Sequence, residues 1–232
     1  MTPFTEQANL ISASNDDARQ GVHNQSPSEP SKVETGAPEP ALRGADLYRE
    51  IGYWKIIAED FRTHKSDLFS AGFQAMFWYR FGCWGDQLRF KPFRWPVAAL
   101  YYFFQRFVQN VYGIELVRSA RLGRRIELAH QHGIVIHHLA TIGDDVIIRH
   151  NVTFGVGIDW TWKGPIIGNR VSFGPGTVVV GDVTIGDDVT IGPNCTITTD
   201  VPSGRTLFVP PPRSLPKAAP KPSPSNDDDN PK

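Results

Sequence analysis

From Leu122 to Val201 the apolar positions of the chain recur every six residues. Ile136, Ile142, Ile148 and Phe154 stand six apart, and after one interruption the count resumes at Ile167 and runs through Phe173, Val179, Ile185, Ile191 and Ile197. Four places after each start lies a small or β-branched residue, as at Val146, Val152, Val171, Thr177, Val183, Val189, Cys195 and Val201. Glycine directly follows many of the starts, for example Gly143, Gly155, Gly168, Gly174, Gly186 and Gly192. A period of six matches neither a helix at 3.6 residues per turn nor a strand alternating at 2. Two inward positions per six residues require a corner between short strands, so three hexads close one triangular coil and the coils stack.

The pattern predicts a left-handed parallel β-helix over residues 114–208, the hand that hexapeptide coils take against the usual right-handed crossover rule. An ordinary β-sandwich is the alternative, but its turn signals recur every 8 to 12 residues. Two interruptions break the count. Ile134 and Val135 read as a two-residue insertion before the register settles at Ile136, and Val156 to Ile166 form a larger one. A coil that omits a corner must push those residues out as a loop, which is then placed to reach a neighbouring subunit.

Ahead of the repeat, residues 45–113 read as a small α-helical domain. Leu47, Ile51, Trp54, Ala58 and Phe61 follow one face of a first helix, and Phe73, Phe77, Phe81 and Trp84 one face of a second. A third helix begins at Pro96, carries Leu100, Phe103, Phe104, Phe107 and Val111, and stops at Gly113, a natural C-terminal cap. This aromatic density reads as a compact core and subunit contact, since aromatics dominate both. The competing reading is a peripheral membrane contact flanked by Arg80, Arg89, Lys91, Arg94 and Arg106. Residues 1–44 and 209–232, rich in Ser, Asn, Pro and Asp, hold too few apolar residues to offset the entropy of ordering and read as disordered.

Composition narrows the classes. The 232 residues carry 24 basic and 24 acidic side chains, which removes any bulk electrostatic case for nucleic acid. Cys83 and Cys195 are too few for a disulfide framework or a cysteine zinc site. The N-terminus lacks the basic start and apolar core of a signal peptide, and the run from Trp95 to Gln105 is too short to span a bilayer, so a cytoplasmic protein is expected, with the inner face of the membrane as its one alternative site. Candidate chemistry sits in the histidines His130, His132, His137, His138 and His150. A zinc site using His132 and His137 is one reading, but their spacing does not stack three ligands along the coils, and no metal is expected.

The segments EDFRTHKSDLFSAGFQAMFWYR (Glu59 to Arg80), ELAHQHGIVI (Glu127 to Ile136), IGDDVIIRHNVTFG (Ile142 to Gly155) and GTVVVGDVTIGDDVTIGPNC (Gly176 to Cys195) together resemble the serine acetyltransferase family of hexapeptide-repeat acyltransferases. The resemblance is nearest to its relatives among exopolysaccharide O-acetyltransferases, and it covers roughly Glu59 to Arg213. It implies an acetyl-CoA-dependent O-acetyltransferase with His130 as general base and Glu115, where the family carries Asp, as the carboxylate that orients it. Neutral imidazole near pH 7 can take the proton of an attacking hydroxyl and return it to the departing thiolate. A carboxylate on the other ring nitrogen fixes the tautomer, as in a Ser-His-Asp triad.

The resemblance further assigns Gly155, Gly174, Pro175 and Pro193 to the CoA-lining edge and Arg213 to a CoA phosphate. It assigns Asp67 and His132 to the acceptor. Two family groups that hold serine are replaced, by Ala129 directly before His130 and by Gly164 in the loop. Trp160, Trp162 and Lys163 in that loop suit a sugar ring, so a saccharide hydroxyl in exopolysaccharide biosynthesis is the expected acceptor, with serine O-acetylation in cysteine biosynthesis as the alternative. A homotrimer or a dimer of trimers is implied. A non-catalytic role as a docking partner is the remaining alternative, and the closing Asn230, Pro231 and Lys232 lack the terminal Ile that such docking uses in the family.

Overall fold

The computed structural model describes residues 45–88, 90–157 and 162–211; the expectations for 1–44 and 212–232 lie outside the described residues. Helices α1 (Ala45–Ile51), α2 (Tyr53–Thr63), α3 (Ala71–Gly85) and α4 (Lys91–Tyr112) lead into fourteen short strands. The single first helix expected from Leu47 to Phe61 is broken at Gly52, whose φ of 89° only glycine adopts readily. That break resets the phase of α2. Its buried residues are Ile56, Ile57, Glu59 and Asp60, while Trp54 is 76% exposed. In α3 the inward face is likewise shifted, to Ala75, Met76, Tyr79 and Arg80, with Phe77, Phe81 and Trp84 half-buried. Helix α4 starts at Lys91 and contains Pro96, which was expected to begin it; Pro92 occupies the first turn instead. Its end is as expected, with Gly113 left-handed at φ 61°.

The strands are β1 (Ile114–Leu116), β2 (Arg121–Leu122), β3 (Glu127–Leu128), β4 (Ile134–Ile136), β5 (Thr141–Ile142), β6 (Ile147–Ile148) and β7 (Thr153–Gly155), followed by β8 (Ile166–Ile167), β9 (Ser172–Phe173), β10 (Val178–Val180), β11 (Thr184–Ile185), β12 (Thr190–Ile191), β13 (Thr196–Ile197) and β14 (Thr206–Leu207). Strands three apart pair in parallel, and β14 closes the stack on β12. The first face is β1-β4-β7-β10-β13, the second β2-β5-β8-β11 and the third β3-β6-β9-β12-β14. This is the parallel β-solenoid that the hexads predict. The register aligns the apolar positions into ladders such as Leu128, Ile148, Phe173 and Ile191, which fill the prism. At its centre Phe154 meets Phe173 edge-on with ring centroids 4.9 Å apart.

The repeat glycines serve this stacking. A methyl group added at Gly174 would lie 2.5 Å from the backbone nitrogen of Pro193, so the corner of the next coil can close over position 174 only if it carries no side chain.

The helices share the solenoid's core. Ala75, Met76, Tyr79 and Val108 belong to the same apolar cluster as Leu122, Ile126 and Leu128. Polar groups seal the seam. Arg80, read from sequence as a candidate membrane-facing cation, is 1% exposed; its Nε donates to Asp60 at 2.9 Å and its Nη2 to the Gly123 carbonyl at 2.6 Å. Tyr79 donates its hydroxyl proton to the Ala120 carbonyl at 2.7 Å.

Candidate active site

The corner that leaves β3 is two residues longer than its equivalents: Leu128 to Ile136 spans eight positions, Ile148 to Phe154 six. The extra pair is not Ile134 and Val135, as the hexad count suggests, because those residues lie in β4, with Ile134 buried and paired to Ile114. The slack is taken up in residues 129–133 instead, where His132 and Gly133 turn the chain at φ 74° and 70°. The end of α4 holds this corner, because His132 N–H donates to the Tyr112 carbonyl at 2.8 Å and Ile134 N–H to that of Gly113 at 3.2 Å. From below, Asn151 N–H donates to the His132 carbonyl at 3.0 Å.

His130 is exposed on this corner, its ring centroid 5.6 Å from that of His150. The register continues the line. Since Leu128 aligns with Ile148, Ile148 with Phe173 and Phe173 with Ile191, the residues two places on, His130, His150, Pro175 and Pro193, stack along one prism edge. The predicted base and the two predicted CoA-lining prolines therefore share an edge. Gly174 lies beside them but is buried, so its part in that edge is to let the coils close.

A cavity of about 360 Å³ opens between this corner and the loop from α2 to α3. His130, Asp67, His64, Lys65, Ser70 and Glu127 line it. The fold thus brings Asp67 and His130, 63 positions apart, to one cavity. Asp67 Oδ1 accepts the Phe69 N–H at 2.8 Å, which shapes the loop. His64 was missed from sequence, where nothing distinguishes it from a surface histidine. It is buried, with Nδ1 2.8 Å from the Asp60 carbonyl and Nε2 accepting the Leu128 N–H at 3.1 Å. Those partners require a neutral ring with its proton on Nδ1. It braces the strand that delivers His130.

Other expected residues are not assembled here. Glu115 does not reach His130: no hydrogen bond joins them among the described residues, and its carboxylate accepts from Gln109 Nε2 at 3.3 Å. It lies instead near His137, whose pKa is held below the ordinary histidine value mainly by burial and next by His138, with Glu115 opposing. Gly155 stands on the opposite edge of the first face, one place past Phe154, as His137 is one place past Ile136. Lys163 is on that edge too, paired with Asp182 at 2.8 Å, and Trp162 is exposed beside it. Trp160 and Arg213 lie outside the described residues. At Gly164 an added methyl group would lie 2.5 Å from the backbone carbonyl of Leu139, so this position cannot carry a side chain without moving the coil. Among the described residues no three His, Cys, Asp or Glu side chains converge to hold a metal ion.

Where α2 meets the first coil, Glu59 takes a two-pronged contact from Arg124, at 2.9 and 2.6 Å, and Arg124 holds its carboxyl below the ordinary 4.5. A carboxylate whose folded pKa is lowered stabilises the fold fully above its unfolded value and loses that contribution as pH falls through the folded value. Glu59→Gln is therefore expected to lower Tm at neutral pH and to narrow its deficit against wild type as the buffer is taken below pH 4.5. Calorimetry over that range checks it, and a deficit independent of pH would remove the assigned cause.

Residues 164–199 match the family described as bacterial transferase hexapeptide (six repeats). The serine acetyltransferase of Helicobacter pylori (strain ATCC 700392 / 26695) is 38% identical over 95 residues, covering 40% of this chain and 56% of that protein. The putative colanic acid biosynthesis acetyltransferase WcaB of Escherichia coli (strain K12) is 33% identical over 90 residues, covering 39% of this chain and 54% of that protein. The chain thus spans a little over half the length of these curated relatives. In fold it matches the serine acetyltransferase from Brucella abortus strain S19 solved in complex with Coenzyme A, with a TM-score of 0.59 at 22% identity over 72% of this chain and 69% of that one. The chain is a hexapeptide-repeat solenoid whose residues 164–199 carry the match to that family. It is similar both to serine acetyltransferases and to WcaB.

Proposed function

We propose that the chain is an acetyl-CoA-dependent O-acetyltransferase in which His130 deprotonates a saccharide hydroxyl. The observation that carries this reading is the single prism edge on which His130, His150, Pro175 and Pro193 stack, opening onto the cavity that holds Asp67. An imidazole on such an edge accepts the acceptor's proton as its oxygen bonds to the thioester carbonyl carbon. When the carbon–sulfur bond breaks, the same proton passes to the departing thiolate, so the imidazole ends neutral. The exposed edge offers flat proline faces and backbone groups to the pantetheine arm, and the CoA complex of the Brucella abortus relative supports that fit. Glu115 orients His130 in this reading once Gln109 releases it, a rearrangement compatible with catalytic bonds that tighten only when substrate binds.

The loop residues Trp162 and Lys163 stand on the other edge of the first face from His130. One chain therefore carries two half-sites facing apart, and a closed ring of three copies brings the loop of one to the His130 edge of the next. A homotrimer, alone or doubled, follows, working where acetyl-CoA is available in the cytoplasm.

Two readings of the acceptor compete. Asp67 beside His130 favours serine. Ala129 and Gly164 favour a saccharide, because both remove a polar group and position 164 has no room for one. Each missing polar partner costs about 1 to 3 kcal/mol, so losing both lowers serine turnover by roughly several hundredfold. CoA release from acetyl-CoA is expected to be faster with the producing cell's deacetylated polysaccharide, or its repeat unit, than with L-serine at matched concentration. Efficient O-acetylserine formation with no ester on any saccharide would replace this acceptor with serine.

A further inference from the structure

The loop between α2 and α3 holds one aromatic ring bare on a fixed backbone. Phe69 is 87% exposed, yet its N–H donates to Asp67 Oδ1 at 2.8 Å and the next N–H, of Ser70, to the Asp67 carbonyl at 3.3 Å. Gln74 Nε2 donates to the Leu68 carbonyl at 3.0 Å, and Gln74 Oε1 accepts from the Tyr112 hydroxyl at 2.6 Å, which ties the loop to the end of α4. The two apolar side chains of the loop serve different surfaces. Leu68 lines the apolar groove formed by α2, α3 and α4, whereas Phe69 lines the polar cavity of His130. Glu127, half-buried on β3, gives that cavity a second carboxylate beside Asp67, and Lys65 gives it an ammonium.

We infer that Phe69 is the specificity-determining platform on which the acceptor's sugar ring stacks, while its hydroxyls donate to the carboxylates of Glu127 and Asp67. This rests on the acyl-transfer reading, and it puts a saccharide contact on the same chain and in the same cavity as His130. The chemistry of the cavity selects the occupant. A pyranose has an apolar C–H face inside a rim of hydroxyls, which matches one apolar ring set among hydrogen-bonding groups. An amino acid the size of serine has no face to offer the ring. The cavity, about 360 Å³, lies in the range that takes a small-molecule ligand. Asp67 gains a second part here. With Oδ1 committed to the Phe69 N–H, it orients the platform, so its place beside His130 does not require the ammonium of an amino acid.

The test is binding of the deacetylated repeat unit of the producing cell's polysaccharide to the full chain, measured by titration calorimetry with CoA present so that no turnover occurs. Phe69→Ala is expected to weaken binding by about tenfold, the loss that follows removal of one ring face, and Phe69→Tyr to keep it. Trp54→Ala, which removes an exposed ring outside the cavity, should leave the affinity unchanged. Asp67→Ala is expected to lose as much as Phe69→Ala. Asp67→Asn should keep most of the binding, because its amide oxygen still accepts the Phe69 N–H. Circular dichroism and Tm near wild type in each variant separate these losses from misfolding. Wild-type affinity in Phe69→Ala overturns the platform, and a lower particle mass in that variant would then assign the ring to contact with a second copy. Equal losses in Asp67→Asn and Asp67→Ala overturn the orienting part and return Asp67 to recognition by charge. If Phe69→Ala binds normally while the wild type still acetylates the repeat unit, the platform fails and the acyl-transfer reading stands. A wild type that acetylates serine and neither binds nor acetylates the repeat unit removes both.

Discussion

His130→Ala is expected to lower acetyl transfer by about 100- to 10,000-fold while leaving the fold and acetyl-CoA affinity nearly intact, the span that a lost general base produces. The fold should survive because His130 is exposed and contributes nothing to the prism core. Its corner is held by backbone bonds to Tyr112 and Asn151 that the substitution does not touch. Among the described residues, His130 is also the one imidazole that faces both the cavity with Asp67 and the edge of Pro175 and Pro193. Single-turnover and steady-state rates, with acetyl-CoA binding measured separately by calorimetry, check the split. Near-normal turnover in the variant would move the base elsewhere, and His150 would be the first residue to examine.

The largest expected loss of stability follows Arg80→Met. Burial works against the Arg80 charge, but the Asp60 carboxylate outweighs it and holds the guanidinium pKa above its ordinary value. Arg80 also satisfies the carbonyls of Leu122 and Gly123 in the first coil, while Asp60 is fully buried. Removing Arg80 leaves that carboxylate without its charge partner in the core, a change that costs about 3 to 5 kcal/mol. The loss should appear as a lower denaturation midpoint. Adding Asp60→Asn should return part of it, since the unpaired charge is then gone. An Arg80→Met variant within about 1 kcal/mol of wild type would mean that water reaches Asp60 and the seam is looser than its geometry.

The solenoid was legible because one physical rule, two inward positions per coil side, repeats along the coils on both sides of two interruptions, and those inward side chains share one core. The helices were less legible. Their burial is set by a partner surface that leaves no periodic trace in the helices themselves, so the aromatic stripes looked inward when the actual contact runs through Asp60, Tyr79 and Arg80. The same holds at the site. His130, Pro175 and Pro193 share an edge because six-residue counting carries residue to residue. Glu115 was paired with His130 through the family pattern, and that pattern does not register that Gln109 at the end of α4 takes its carboxylate first. His64 left no sequence signal because its role depends on a strand 64 residues away.

Acetyl transfer from this edge to a hydroxyl, as proposed, is tested most directly by release of CoA from acetyl-CoA by the full chain with and without the deacetylated saccharide. Release is expected to require the saccharide and to leave an O-acetyl ester on it. Release that proceeds equally without any acceptor, or no release with either the saccharide or serine, would contradict it.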